Sequence, residues 1–176
     1  MVKHRSWRAR WGALLALALL PACAWQPEGG LSPSERLLFS FERRTMLPMA
    51  GGTAARRLAE EHATHGKRSL RLQLSPGHET VILDMGGFPM DWRGWRVLRV
   101  DVFRSGEPLV VHLRVSDAQG RRHWVWTRRV QPGANTLEYD LSTMQGKIDL
   151  SAVAELMWYA EKPSGEVYLD AIRLAR

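Results

Sequence analysis

WRVLRVDVFRSGEPLVVHLRVSDAQGRRHWVWTRRV, residues 95–130, is the stretch on which the reading of this chain turns. Apolar and polar residues alternate through it with a period of two, the repeat of a strand that buries one face. Leu98, Val100 and Val102 fall on one side, with Val97, Arg99, Asp101 and Phe103 on the other. After Ser105-Gly106-Glu107-Pro108 the pattern resumes, with Leu109, Val111, Leu113 and Val115 opposed to Val110, His112, Arg114 and Ser116. Asp117-Ala118-Gln119-Gly120 then separates a third run. The breaks carry turn residues, so the pattern predicts three successive antiparallel strands in a meander. Such a sheet needs a second layer over its apolar face.

The chain is 176 residues long and 45% hydrophobic, enough for one globular core and too apolar for a disordered chain. A formal charge of +7 invites a nucleic-acid reading, but Lys3, Arg5, Arg8 and Arg10 all lie in the first 22 residues. Without them 21 basic side chains face 18 acidic ones, a net of +3 with no run of basic residues. Nucleic acid is therefore not an expected partner. With one cysteine no intrachain disulfide forms, so packing, with or without a metal, must hold the fold.

Residues 1–22 have the plan of a signal peptide: a basic start, the apolar run Trp11–Leu20 and the helix breaker Pro21. The run is shorter than the ~20 residues of a spanning helix. Leu20-Pro21-Ala22-Cys23 resembles a bacterial lipobox, with Pro at the middle position as a departure, and makes Cys23 the expected lipidated N-terminus. Ordinary cleavage after Ala22-Cys23-Ala24 is the alternative. Either way the protein is expected to be exported. The lipidated form would be an envelope lipoprotein, at the outer membrane facing periplasm or surface because Ala24 is not an aspartate; the alternative is a soluble periplasmic or secreted protein. Residues 23–36 read as the lipidated end and a flexible tether, since Gln26–Glu35 is rich in Pro, Gly and Ser.

From residue 37 to 176 short strands recur between turn residues, with no sustained 3.6-residue period and no internal repeat. Strands are expected at Leu37–Glu42, Arg56–Glu61, Ser69–Leu74, Thr80–Met85, Thr136–Leu141, Leu156–Ala160 and Val167–Leu174, besides those of the meander. A single helical turn is expected at Asp149–Val153. This spacing predicts an all-β antiparallel sandwich.

Several phrases together resemble the galactose-binding-like jelly roll of many carbohydrate-binding modules. They are Phe39-Ser40-Phe41-Glu42, the hairpin phrase Glu61–Leu72 with Gly66-Lys67-Arg68-Ser69-Leu70 inside it, Asp91–Leu98, Pro132–Thr136 and the closing Val167–Leu174. The resemblance covers residues 37–176 and implies a non-catalytic binding domain. It also implies a structural calcium between the first and last strands, held by Glu42 and Asp170 with backbone oxygens of the Lys67–Ser69 turn. A hard cation wanting 6–8 oxygens suits that set. The alternative is that both acids are exposed and paired with Arg43 or Arg173.

Trp124 and Trp126 lie two apart, so they are expected on the same face of one strand, as a platform for sugar rings or as core. Arg114 and Asp101 are the expected hydrogen-bonding groups, with Tyr159 at the edge if Leu156, Trp158 and Ala160 are core. Arg99, Asp101, His112 and Arg114 read equally as a cross-strand ion-pair network. His62 and His65 fall in a hairpin loop, where a zinc site is not expected. No nucleophile stands beside a base and no phosphate-cradling glycine loop is present, so an enzyme is not expected. Carbohydrate binding is the expected function; an envelope protein–protein or structural role is the alternative.

Overall fold

In a computed structural model, residues 31–85 and 87–176 are described, together with all their side chains except those of Trp124, Val125 and Trp126. Eleven strands occur among them: β1 (Glu35–Phe39), β2 (Ala50–Gly51), β3 (Ala55–Ala59), β4 (Ser69–Leu74), β5 (Thr80–Asp84), β6 (Val97–Ser105), β7 (Leu109–Asp117), β8 (Arg122–Val130), β9 (Gly133–Asp140), β10 (Val153–Glu161) and β11 (Gly165–Ala175). They form two antiparallel sheets. The first runs β3-β4-β11-β6-β9, with β1 beside the far half of β11; the second runs β2-β5-β10-β7-β8. This is the antiparallel sandwich that the alternation predicts.

The two sheets meet through the expected faces. Leu98, Val100 and Val102 of β6 join Leu109, Leu113 and Val115 of β7 and Leu156, Trp158 and Ala160 of β10 in one buried cluster. Within it the Trp158 indole N–H donates to the Tyr139 hydroxyl at 3.3 Å. Burial pushes the Tyr139 phenol up to about 12, against the pull of that bond and of the nearby Arg128.

The meander is corrected in one respect. β6 lies in the first sheet, between β11 and β9, whereas β7 and β8 lie in the second. Sheets in a sandwich are ~10 Å apart, a gap that a four-residue link such as Ser105–Pro108 can cross. Alternation reports which residues face the core and is silent on which sheet supplies the strand. Arg104, 2% exposed, holds this crossing. Its guanidinium donates to the carbonyls of Glu107 (2.8 Å), Ser164 (2.6 Å) and Glu166 (3.1 Å), tying the β6–β7 turn to the β10–β11 turn.

Two smaller differences concern ends and helices. β1 begins at Glu35, two residues inside the expected tether, because Arg99 (2.9 Å) and Arg173 (3.1 Å) bind its carboxylate. Residues 149–152 make no helix; Asp149 instead accepts from the Ser151 amide (2.9 Å) and hydroxyl (2.6 Å) in a local turn. Short 3₁₀ helices occur at Arg44–Met49 and Leu141–Met144. The signal-peptide reading and Cys23 lie outside the described residues.

Candidate functional site

The outer face of the second sheet collects aromatic and hydrogen-bonding side chains in rows across its strands. With Leu156, Trp158 and Ala160 turned inward, Glu155, Tyr159 and Glu161 of β10 face out, and Met157 between them is covered by its neighbours. On β7 the outward set is Val110, His112, Arg114 and Ser116. Register places Tyr159 beside His112 and Met157 beside Arg114. Directly opposed residues of an antiparallel pair lie within side-chain reach.

These neighbours bind one another. His112 Nε2 lies 2.6 Å from Glu161 Oε1, and its Nδ1 lies 3.1 Å from the Thr127 hydroxyl. The His112 and Tyr159 rings are 6.1 Å apart. Arg114 donates to Glu155 Oε1 at 2.6 Å, and the Ser116 hydroxyl reaches the same oxygen at 3.4 Å. Both ends of the Arg114–Glu155 pair are half-buried, so the pair is a fixed array of donor and acceptor rather than two mobile charges.

At the Glu155 end the face opens into a cleft of ≈400 Å³ lined by Asp84, Phe88, Ser116, Arg122 and Glu155. Phe88 stands on its rim, 81% exposed, and is the large hydrophobic side chain left uncovered among the described residues. In the sequence it is one residue of a Gly-Gly-Phe-Pro loop, and only the structure sets it beside a polar floor.

Of the residues expected in the site, Arg114 and Tyr159 share this face. Asp101 does not. It sits on β6 in the first sheet, on the opposite side of the sandwich, so Asp101 and Arg114 cannot contact one ligand together. Its carboxylate is already engaged by the hydroxyls of Thr64 and Thr136, both at 2.9 Å, and by Arg173 at 3.0 Å. Arg173 and Arg99 share Glu35, and Arg99 also reaches Glu138 at 2.8 Å. The four residues expected in one ion-pair network thus fall into two separate sets, Arg99 and Asp101 in the first sheet and His112 and Arg114, with Glu161 and Glu155, in the second. Burial raises the Glu35 carboxyl, but the two guanidiniums outweigh it and hold it below its ordinary value. Trp124 takes the register position opposite Arg114. The β7–β8 register shifts between His112 and Leu113, so strict alternation does not run through that part of β8. The side chains of Trp124 and Trp126 lie outside the described residues.

Glu42 and Asp170 anchor the β3–β4 loop. Glu42 Oε1 accepts from the amides of Lys67 (2.8 Å) and Arg68 (2.7 Å). Asp170 Oδ2 accepts from those of Thr64 (2.7 Å) and His65 (2.8 Å). The turn therefore presents N–H groups to Glu42, where calcium binding would use carbonyl oxygens. No group of three or more His, Cys, Asp or Glu side chains is placed to hold a metal among the described residues. Burial pushes the Asp170 carboxyl up despite the amides of His65, Ala171 and Thr64. The same loop lays His62 flat on Phe103, with ring centroids 3.4 Å apart.

The sequence matches no protein-family profile and no curated protein. Solved structures do share the fold. The family 11 carbohydrate-binding module of Clostridium thermocellum, studied in solution, aligns with a TM-score of 0.63 at 16% identity over 81% of this chain and 95% of that one. The CBM22-1 xylan-binding domain from Paenibacillus barcinonensis gives 0.54 at 15% identity over 82% and 97%. An exo-β-agarase gives 0.61 at 15% identity over 78% of this chain but only 24% of its own. The fold is that of the carbohydrate-binding-module jelly rolls.

Proposed function

We propose that this protein binds carbohydrate, as a polysaccharide chain laid on the outer face of the second sheet, and performs no chemistry on it. One observation carries the reading: the Tyr159 ring and the exposed Phe88 flank a fixed Arg114–Glu155 pair on one continuous face. Sugar rings offer apolar C–H faces to aromatic side chains and hydroxyls to arginine and carboxylate. The fold's likeness to modules described with a β-1,3-1,4-linked tetrasaccharide and with xylan supports the class of ligand. Affinity electrophoresis in gels containing mixed-linked β-glucan, xylan or agar tests it. At least one polymer retards the protein, and Tyr159→Ala weakens that retardation about 3- to 10-fold, the worth of one aromatic contact. An unretarded protein refutes the reading.

A second reading, an envelope protein held on the same face, is favoured by Phe88 alone, since an uncovered phenyl suits a protein partner as well. Export, with Cys23 as lipid anchor, is proposed from the leader; mass spectrometry of the mature N-terminus decides between lipidated Cys23 and an unmodified end. Calcium at Glu42 and Asp170 is proposed from the buried Asp170 Oδ1, and it stands against a turn that offers Glu42 amides in place of the carbonyl oxygens expected. A melting temperature lowered by EDTA and restored by calcium would support it, and one indifferent to both would refute it.

A further inference from the structure

Three separate basic stretches of sequence converge on one edge of the first sheet. Arg44 of the 44–49 turn, Arg57 of β3 and Arg68 of the β3–β4 loop line one open cleft of ≈770 Å³, with Glu60 and Glu61. Arg56, Arg57, Arg71 and Gln73 line a second, of ≈270 Å³. The two clefts meet at Arg57. In register Arg57 stands directly opposite Arg71, a like-charged pair across neighbouring strands. Arg71 has an ion-pair partner in Glu166. Arg44, Arg56, Arg57 and Arg68 enter none of the ion pairs among the described residues. Protection of a bare sheet edge accounts for charges on β3 itself. It does not account for Arg44 and Arg68, which come from other elements and face the same cleft.

We propose that this edge is a second binding site, for an acidic polysaccharide. Guanidinium forks bind carboxylate and sulfate groups in a bidentate way. Two clefts in succession along a five-residue strand, ~13 Å from end to end, suit a chain that brings one anionic group to each. A single phosphate or one lipid headgroup would fill only one. Leu47 and Leu58 in the wall of the larger cleft give apolar surface for the ring faces between charges. The site lies in the other sheet from Tyr159 and Arg114 and does not depend on what binds there.

The test is titration calorimetry of the whole protein with polygalacturonate, dextran sulfate and neutral dextran, repeated at rising salt. Arg44→Gln/Arg57→Gln removes two exposed cleft charges; Arg36→Gln/Arg96→Gln removes two exposed charges elsewhere. The protein binds at least one acidic polymer and not neutral dextran, with affinity falling as salt rises. The cleft variant weakens that binding about tenfold or more, and the charge-matched variant by less than about twofold. Equal weakening by both variants would reduce the effect to net charge and overturn the site. So would absence of binding to either acidic polymer, or tighter binding to phosphatidylglycerol vesicles than to the polysaccharides.

Discussion

Arg104 gives the sharpest test of how the two sheets are joined. Burial pushes its guanidinium below the ordinary value, with only Glu107 acting the other way, and no carboxylate pairs with it within ion-pair distance among the described residues. Its partners are the carbonyls of Glu107, Ser164 and Glu166 and, at 3.4 Å, the Ser164 hydroxyl. Arg104→Ala leaves the Glu107 and Ser164 carbonyls without this donor, at ~1 kcal/mol each, costs less at Glu166, whose carbonyl also accepts from the Ser105 hydroxyl at 3.3 Å, and removes a buried three-methylene stem worth ~2 kcal/mol. Relief of a desolvated cation offsets part of this, leaving a net loss of about 2–4 kcal/mol. For a domain of this size that lowers the melting temperature by about 5–15 °C. Arg104→Met keeps the stem and drops the charge, so it falls between the two. Circular dichroism melts measure the order, and hydrogen exchange should show the Ser105–Pro108 and Lys162–Gly165 turns opening first in the alanine variant. A melt of Arg104→Ala within about 1 °C of the parent would refute the argument.

Gly66 has φ 76°, and a Cβ there would run into the Glu42 carboxylate, so Gly66→Ala should cost about 1–3 kcal/mol and expose the 60–68 loop to protease. Uncut loop and unchanged stability would contradict the anchoring described for Glu42. Trp158→Phe removes the donor to Tyr139 and should cost about 1–2 kcal/mol by denaturant titration, with Tyr139 still titrating far above an ordinary tyrosine. Burial raises the Asp117 carboxyl, but the amides of Asp149, Arg121 and Gln119 and the Arg121 guanidinium hold it below its ordinary value. A depressed folded value means that its stabilisation is complete above the unfolded carboxylate range near pH ~4 and is lost as pH falls below it. Asp117→Asn should therefore destabilise at neutral pH and flatten the acid limb; an unchanged acid limb would exclude this role.

Strand placement was legible because each long strand buries one face: the alternation in 98–102, 109–115 and 156–160 is the same as the inward set of β6, β7 and β10. Sheet membership was not, since the β6 and β7 patterns are the same for a hairpin and for a crossing between layers. That is why Asp101 and Arg114, both polar-face residues of adjacent strands, end on opposite sides. Glu35 could not be drawn into the domain from its neighbours Ser34 and Pro33; its partners Arg99 and Arg173 are 64 and 138 residues away. Tyr159 was legible because its strand neighbours Trp158 and Ala160 are plainly apolar. Phe88 was not, for a phenylalanine between glycine and proline carries no local sign of exposure. The arginine edge was hidden for the same reason: pairs at 43–44, 56–57 and 67–68 are unremarkable until β3, β4 and the 44–49 turn bring them together.

The most direct measurement is a two-dimensional ¹⁵N–¹H NMR titration of the protein with a mixed-linked β-glucan oligosaccharide and with xylohexaose. The account predicts saturable shifts in amides of the second sheet, at residues 110–116 and 155–161 and around Phe88, with those of 62–64, 101–103 and 134–136 unmoved. Shifts gathered instead on the His62–Asp101–Phe103 side of the first sheet would move the site to the other face. No shifts with either sugar would contradict the account.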